Sequence, residues 1–107
     1  MSRITLSDAA RNDRREITAY TIDRFGIEQA RRLRTQFQAT LDRLAASPRL
    51  GRAHPELDPV GRSFRYFVLM RSFLIVYQPT KEGIRVARLL HSARNLADEL
   101  DRDDGED

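Results

Sequence analysis

The last third of the chain constrains the fold most, because it holds three successive segments with the composition of β-strands. They are residues 62–69, 73–77 and 84–91. The middle segment, Phe-Leu-Ile-Val-Tyr, is apolar throughout, which is typical of a central strand buried on both faces. Arginines interrupt the apolar residues of the two outer segments. The sequence therefore predicts a sheet with a cationic face or rim directed at an acidic partner.

The last of these strands ends in a histidine. Simple alternation along it places Ile84, Val86 and Leu90 on one face of the sheet. The same alternation places Leu89 and His91 on the opposite face. His91 is therefore expected at a strand end, where its imidazole is available for chemistry or for a partner.

Two helical patterns precede the strands. Residues 3–6 alternate as a short first strand, and Ser7 or Asp8 then offers a side-chain oxygen that can cap a helix. The first helix is expected to end at Phe25, because Gly26 follows it and glycine adopts positive φ at low cost. Its helically spaced residues are Ala10, Ile17, Tyr20, Thr21 and Phe25.

The second helix is expected over residues 28–46, where apolar residues recur every three or four positions. They are Ala30, Leu33, Phe37, Leu41 and Leu44. Pro48 ends this helix, since proline restricts the residue before it and has no N–H to donate. Residues 47–61 contain three prolines and two glycines and are expected to form a loop.

The order strand, helix, helix and three strands predicts an α+β fold. We expect an antiparallel helical hairpin packed on one face of a mostly antiparallel sheet that includes the N-terminal strand. The opposite face is expected to be open or only partly covered. Residues 93–100 are expected to form a short C-terminal helix.

Charge and composition limit the classes of function that the chain can have. The net charge is +3, yet residues 98–107 hold seven acidic residues against one arginine, a net charge of −6, so the rest of the chain carries +9. We expect a basic domain that binds an acidic partner, followed by a flexible acidic tail. The chain has no cysteine, no apolar segment long enough to span a bilayer, and no histidine with acidic neighbours at metal-ligand spacing. A cytoplasmic protein without metal or cofactor is expected.

Several stretches, taken in order, resemble a known family. They are residues 6–10 (Leu-Ser-Asp-Ala-Ala), 22–26 (Ile-Asp-Arg-Phe-Gly), 44–52 (Leu-Ala-Ala-Ser-Pro-Arg-Leu-Gly-Arg) and 90–94 (Leu-His-Ser-Ala-Arg). With the order of elements, they resemble the ParE branch of the ParE/RelE superfamily of toxins from bacterial type II toxin–antitoxin systems. The resemblance predicts a toxin domain over residues 1–97, and residues 98–107 lie outside it as an acidic tail.

The resemblance implies a protein that halts bacterial growth unless a cognate, ParD-like antitoxin binds it. ParE-like members act on DNA gyrase and trap it in a DNA-damaging state, whereas RelE-like members enter the ribosomal A site and cleave mRNA. The few acid–base candidates in this chain favour an inhibitor that binds gyrase without being an enzyme, and that has no sequence-specific nucleic-acid binding of its own. A ribosome-dependent endoribonuclease and a degenerate module that only binds its antitoxin are the alternatives.

The ribonuclease alternative needs a general base, a general acid and cations for the phosphate. Its candidate residues are His91, Arg65, Tyr77 and Arg94. Each also has a structural interpretation, in which Tyr77 is a core residue with a bonded hydroxyl and Arg65 is in a salt bridge or solvated. His54 or Glu56 would serve as a base only if the loop folds over the sheet.

Partner contacts are expected from two sets of residues. The antitoxin-binding candidates are Arg11, Arg14, Arg31, Arg34, Leu33, Phe37 and Leu41. The apolar members of this set have the intramolecular core as their ordinary role, so only those left exposed can serve a partner. The target-binding candidates are Arg85, Arg88, His91 and Arg94. The antitoxin is expected to supply an acidic, partly disordered segment that adds a helix to an apolar surface and a strand to a sheet edge.

Overall fold

A computed structural model describes residues 3–91, which form two helices and five strands. The elements are β1 (Arg3–Leu6), α1 (Asp8–Phe25), α2 (Ile27–Ala46), β2 (Arg52–Ala53), β3 (Arg65–Leu69), β4 (Phe73–Pro79) and β5 (Gly83–His91). Two short 3₁₀ turns, Pro48–Leu50 and Pro55–Leu57, flank β2. The α+β prediction is confirmed. The helix predicted over residues 93–100 lies outside the described residues.

The five strands form one sheet in the order β1-β5-β4-β3-β2. β1 runs parallel to β5, with Ile4 opposite Ile84, and the other neighbours are antiparallel. The sequence predicted a loop where β2 lies. Only Arg52 and Ala53 pair with β3, and two residues are too few to show the alternation that marks a strand.

Side-chain capping and one glycine set the helix boundaries. The Ser7 hydroxyl accepts a hydrogen bond from the Ala10 N–H at 3.0 Å, which confirms one of the two predicted caps of α1. Gly26, with φ at 93°, ends α1 and precedes α2, and this positive φ is cheap for glycine. The two helices are joined by this single residue and pack on each other as the predicted hairpin.

The core has two parts, one on each face of the sheet. The helix-side cluster contains Leu33, Phe37, Leu41, Leu44, Ile75, Tyr77, Ile84, Val86 and Leu89. The cluster on the opposite face contains Phe64, Tyr66, Val76, Ala87 and Leu90. Leu57 packs against the second cluster. The loop between α2 and β3 therefore partly covers the face that the helices leave open.

The predicted faces of β5 are wrong beyond Val86. Val76 lies opposite Arg88, whereas its neighbour Tyr77 lies opposite Val86, so Ala87 is an extra residue in the ladder. Such a β-bulge shifts the alternation by one position. Leu89 therefore joins the helix side and Leu90 the opposite face.

The helical spacing in α1 predicted its inner face only in part. Ala10 and Thr21 are buried as expected, and Ile17 packs partly buried against the helix-side core. Tyr20 and Phe25, however, are 46% and 67% exposed. The helix also buries Asp13, which apolar periodicity does not mark because the residue is charged.

Candidate functional site

Tyr77, a candidate for acid–base chemistry, is part of the core. Its ring is fully buried, and its hydroxyl donates to the Pro48 carbonyl at 2.7 Å and accepts from the Gly51 N–H at 2.8 Å. Burial raises the pKa of Tyr77, against smaller opposing effects of the Gly51 hydrogen bond and the Arg65 charge. This placement agrees with the structural interpretation of a core tyrosine whose hydroxyl is bonded.

Arg65 lies beside Tyr77 and fixes the same loop. The two residues are paired across β3 and β4. The Arg65 guanidinium donates to the Gly51 carbonyl at 2.6 Å and to the Arg49 carbonyl at 3.4 Å. Arg65 and Tyr77 thus both form hydrogen bonds with the Gly51 backbone. A side chain at position 51 would not fit, because its Cβ would lie 2.5 Å from the Tyr77 hydroxyl oxygen. Both side chains hold the chain that leaves α2.

His91 lies at the far end of the sheet from Tyr77. It is exposed and pairs with Phe73, and its ring meets the rings of Phe73 and Tyr20 edge-on at 4.9 and 6.0 Å between centroids. Tyr77 follows Phe73 by four residues on β4, which is about 13 Å along a strand. The structure therefore keeps His91 apart from Tyr77 and Arg65. Arg94, the fourth member of this set, lies outside the described residues.

Arg88, a predicted target-binding residue, is buried at 6% exposure. Its Nε and Nη2 donate to the two carboxylate oxygens of Asp13 at 2.7 and 2.8 Å. Asp13 also accepts the Leu89 N–H at 2.9 Å. The arginine thus anchors α1 to β5 and does not present its guanidinium to a partner. Arg85 is half-buried and donates to Gln78 at 3.3 Å.

The four helical arginines proposed for the antitoxin are all exposed. Arg11 pairs with Asp8 at 2.9 Å, and Arg31 pairs with Glu28 at 3.0 Å, each one helical turn apart. Exposed ion pairs of this kind contribute about 0–1 kcal/mol to stability, and their charges remain in contact with solvent. Arg11 and Arg31 can therefore still attract an acidic partner, as can Arg14 and Arg34.

The apolar antitoxin candidates Leu33, Phe37 and Leu41 are all buried in the helix-side core. They have their ordinary structural role, so a partner must use other apolar residues. The exposed ones are Tyr20, Ile22, Phe25, Ile27, Leu50, Val60, Val68 and Met70. The sequence alone does not show that these residues are exposed, because their burial depends on how elements such as α1 and β3 are oriented in the fold.

The loop between α2 and β3 carries a polar cluster that the sequence only partly indicated. The Tyr66 hydroxyl donates to Asp58 at 2.7 Å, and burial followed by this contact raises the pKa of Tyr66. The His54 ring packs edge-on against Tyr66 at 5.5 Å, and its Nδ1 lies 3.3 Å from Glu56. The loop does fold over the sheet, and these contacts tie it there.

A second feature of this region is an open strand edge. β2 pairs with only the first two residues of β3, so within residues 3–91 the outer edge of β3 has no strand neighbour from Phe67 onward. A groove of about 500 Å³ runs beside it, lined by Leu50, Arg52 and Val68 among others. Val68 is 60% exposed. An unpaired edge beside exposed apolar side chains is suited to receiving a strand from another chain.

Neither a metal site nor a membrane span is found in the part of the chain that the structure describes. No three His, Asp or Glu side chains within residues 3–91 cluster closely enough to hold a metal ion. In the same range, neither helix is long and apolar enough to cross a membrane.

Three comparisons with known proteins agree on one family. The model of a family described as ParE toxin of type II toxin–antitoxin system, parDE, matches residues 4–96. Toxin ParE1 of Mycobacterium tuberculosis, from two strains, is 41% identical over 96 residues, which cover 89% of this chain and 94% of that protein. A chain of the chromosomal ParDE system from P. aeruginosa shares the fold at a TM-score of 0.68 and 18% identity, covering 85% of this chain and 96% of that one.

Proposed function

Because the chain belongs to the ParE family of toxins from type II toxin–antitoxin systems, we propose that it arrests bacterial growth by binding DNA gyrase. On this proposal the protein traps gyrase in a DNA-damaging state and has no catalytic residue of its own. A cognate, ParD-like antitoxin neutralises it. Membership of the ParE family supports a toxin of this class, and the positions of Tyr77 and His91 support binding in preference to catalysis.

The observation that carries this preference is the separation of the ribonuclease candidates. A general base and a general acid must both reach the reacting groups, within hydrogen-bond distance or through one water. Tyr77 is buried with its hydroxyl bonded to Pro48 and Gly51, and His91 lies at the opposite end of β4. The arrangement favours an inhibitor that acts through its surface.

The C-terminal end of β5 is the surface that we propose for gyrase. His91 is exposed there and lines a hollow of about 380 Å³ with Glu16, Ile17 and Tyr20. Arg85 is half-buried further back on the strand. Arg94, outside the described residues, follows three positions after His91. Arg88 is no longer a candidate for contact, because Asp13 holds it inside.

The test is a supercoiling assay with purified gyrase and relaxed plasmid. Adding the protein should inhibit supercoiling and leave cleaved plasmid after the enzyme is denatured. His91→Ala, which changes the proposed surface, should weaken both effects, whereas Arg14→Gln on the exposed side of α1 should not. Full supercoiling and no cleaved DNA would overturn the proposal.

The alternatives give different outcomes. An endoribonuclease would cut mRNA at the ribosomal A site during expression, and His91→Gln would abolish the cuts while antitoxin binding survives. A degenerate module would leave growth unaffected when the protein is expressed without its antitoxin. Gyrase inhibition together with growth arrest excludes the degenerate module, and inhibition that survives without ribosomes excludes a purely ribosomal action.

For the antitoxin, we propose that one extended segment pairs with the open edge of β3, beyond β2. Backbone hydrogen bonds would provide affinity there, and the exposed side chains of Leu50 and Val68 would provide apolar contact. The four exposed helical arginines would speed the encounter with an acidic antitoxin at low salt, because such steering acts beyond direct contact.

Val68→Asp tests this surface, with Val60→Asp as the matched control. Both valines are exposed, but Val60 lies in the loop and does not line the groove. Val68→Asp should weaken antitoxin binding by about tenfold or more, because it buries an unpaired charge in the contact. Equal affinities of the two variants in calorimetric titrations would remove the β3 edge from the proposal.

A further inference from the structure

A cationic groove lies at the end of the molecule where the sheet meets the start of α2. We call it the basic groove. It has a volume of about 370 Å³ and is lined by Gln29, Arg31, Arg32, Thr35, Gln36 and Met70. Two of these residues are arginines, and none of the six is acidic. The groove is therefore suited to a short acidic segment that also offers some apolar contact.

Met70, which lines one side of the basic groove, has an unusual backbone conformation. Met70 and Arg71, in the turn between β3 and β4, have φ values of 52° and 62°. Positive φ at two successive residues is typical of a tight hairpin turn, and in non-glycine residues it has a steric cost. The turn fixes Met70, which is 46% exposed, against the arginines of α2.

The chain leaves the sheet close to this groove. His91 pairs with Phe73 on β4, and Phe73 pairs with Leu69 on β3, next to Met70. Two strand spacings, about 10 Å, therefore separate the end of β5 from the turn. The seven residues from His91 to Asp98 span up to about 25 Å when extended. The acidic residues that follow are thus within reach of the groove without any change in the fold.

We propose that the acidic segment 98–107 binds in the basic groove of its own molecule. The segment has a net charge of −6 and the groove carries Arg31 and Arg32, so their charges are complementary. The connection through one chain gives the segment a millimolar effective concentration, so weak ionic contacts suffice. The segment lies beyond residues 4–96, which match the family model, and the proposal does not depend on the target of the toxin.

This contact has a consequence for any acidic partner. Arg31 is also one of the arginines proposed to attract the antitoxin. A bound acidic segment lowers the positive potential on this part of α2, so a partner steered by that potential associates more slowly. The groove is then occupied by a segment of the same charge as the partner until the partner displaces it.

A spin label on the full chain tests the proposal. The chain has no cysteine, so Gly105→Cys gives one labelling site in the segment and leaves its charge unchanged. In nuclear magnetic resonance spectra at low salt, the label should strongly broaden the amide signals of Arg31, Arg32 and Met70. The broadening should disappear at 1 M salt, where the screening length falls to about 3 Å.

Two matched variants make the test specific. Arg31→Gln with Arg32→Gln should abolish the broadening at Met70, whereas Arg14→Gln with Arg15→Gln, the same loss of charge on α1, should preserve it. Broadening centred on another surface, or insensitive to the groove variant, would overturn the proposal. Mixing labelled chains with isotope-enriched unlabelled chains should give no broadening; if it does, the segment binds a second copy and the intramolecular proposal is wrong.

Discussion

The buried pair of Asp13 and Arg88 allows a quantitative prediction, because the two charges are enclosed by the fold. The side chains are 9% and 7% exposed, and the carboxylate accepts two hydrogen bonds from Arg88 and one from Leu89. Asp13→Ala removes all three. It leaves the Arg88 guanidinium buried without its carboxylate and the Leu89 N–H without its acceptor.

The magnitude follows from that geometry. Removing one partner of a buried ion pair lowers the free energy of unfolding by about 3–5 kcal/mol, since the remaining charge is not compensated. The free energy of unfolding of a domain is about 5–15 kcal/mol in total, so the loss is a large part of its stability. By contrast, the pair of Arg3 and Glu82 is 71% and 64% exposed at 3.5 Å, and breaking it should cost less than about 1 kcal/mol.

Urea denaturation followed by circular dichroism measures the difference. With a slope of about 2 kcal/mol per molar urea, a loss of 4 kcal/mol shifts the midpoint by about 2 M. Arg3→Met is the control and should shift it by less than about 0.5 M. The double variant Asp13→Leu with Arg88→Met should recover most of the loss, because neither charge of the buried pair remains. If Asp13→Ala shifts the midpoint no more than Arg3→Met does, the inference of an essential buried pair is wrong.

Three further predictions concern single side chains. Tyr77→Phe should lower the free energy of unfolding by about 1–3 kcal/mol by removing the acceptor for Gly51, while the folded protein still inhibits gyrase; intact stability with lost inhibition would instead indicate a catalytic or contact role. Because burial and Asp58 raise the pKa of Tyr66, the unfolded chain ionises first, so stability should fall above about pH 10, and Tyr66→Phe should reduce that fall in urea titrations by up to about 1.4 kcal/mol per pH unit. Arg71→Gly should have a free energy of unfolding about 1 kcal/mol higher than Arg71→Ala, measured in the same way, because both variants lose the side chain and only glycine adopts positive φ without strain.

The sequence predicted the parts of the fold that depend on local signals. Ser7 and Gly26 mark the ends of α1 through capping and backbone freedom, and β4 is identified by its unbroken apolar run. The bulge at Ala87 has no such signal. It depends on where β1 ends and on how α1 meets the edge of β5, where the Ser7 N–H and hydroxyl donate to the Val86 and Ala87 carbonyls. Those contacts join residues about 80 positions apart, so no local window contains them.

The candidate site was less predictable, because arginine, its main residue type, occurs both buried and exposed in this fold. No local signal identifies the ion-pair partner of a buried arginine such as Arg88. The partner that buries Arg88 is Asp13, which lies 75 positions earlier, whereas Arg31 pairs with Glu28 on its own helix and stays exposed. Only the three-dimensional arrangement separates an arginine that stabilises the domain from one that can meet an acidic partner.

The bulge also decides which side of the sheet the end of β5 can use. Under simple alternation His91 would lie on the face opposite Ile84 and Val86. The extra residue at Ala87 turns it to the helix side instead, where it meets Tyr20 and Phe73. The His91 ring therefore faces the side of the sheet on which α1 packs. A single inserted residue thus places His91 beside Glu16, Ile17 and Tyr20, in the hollow proposed for gyrase, and not on the face that the loop partly covers.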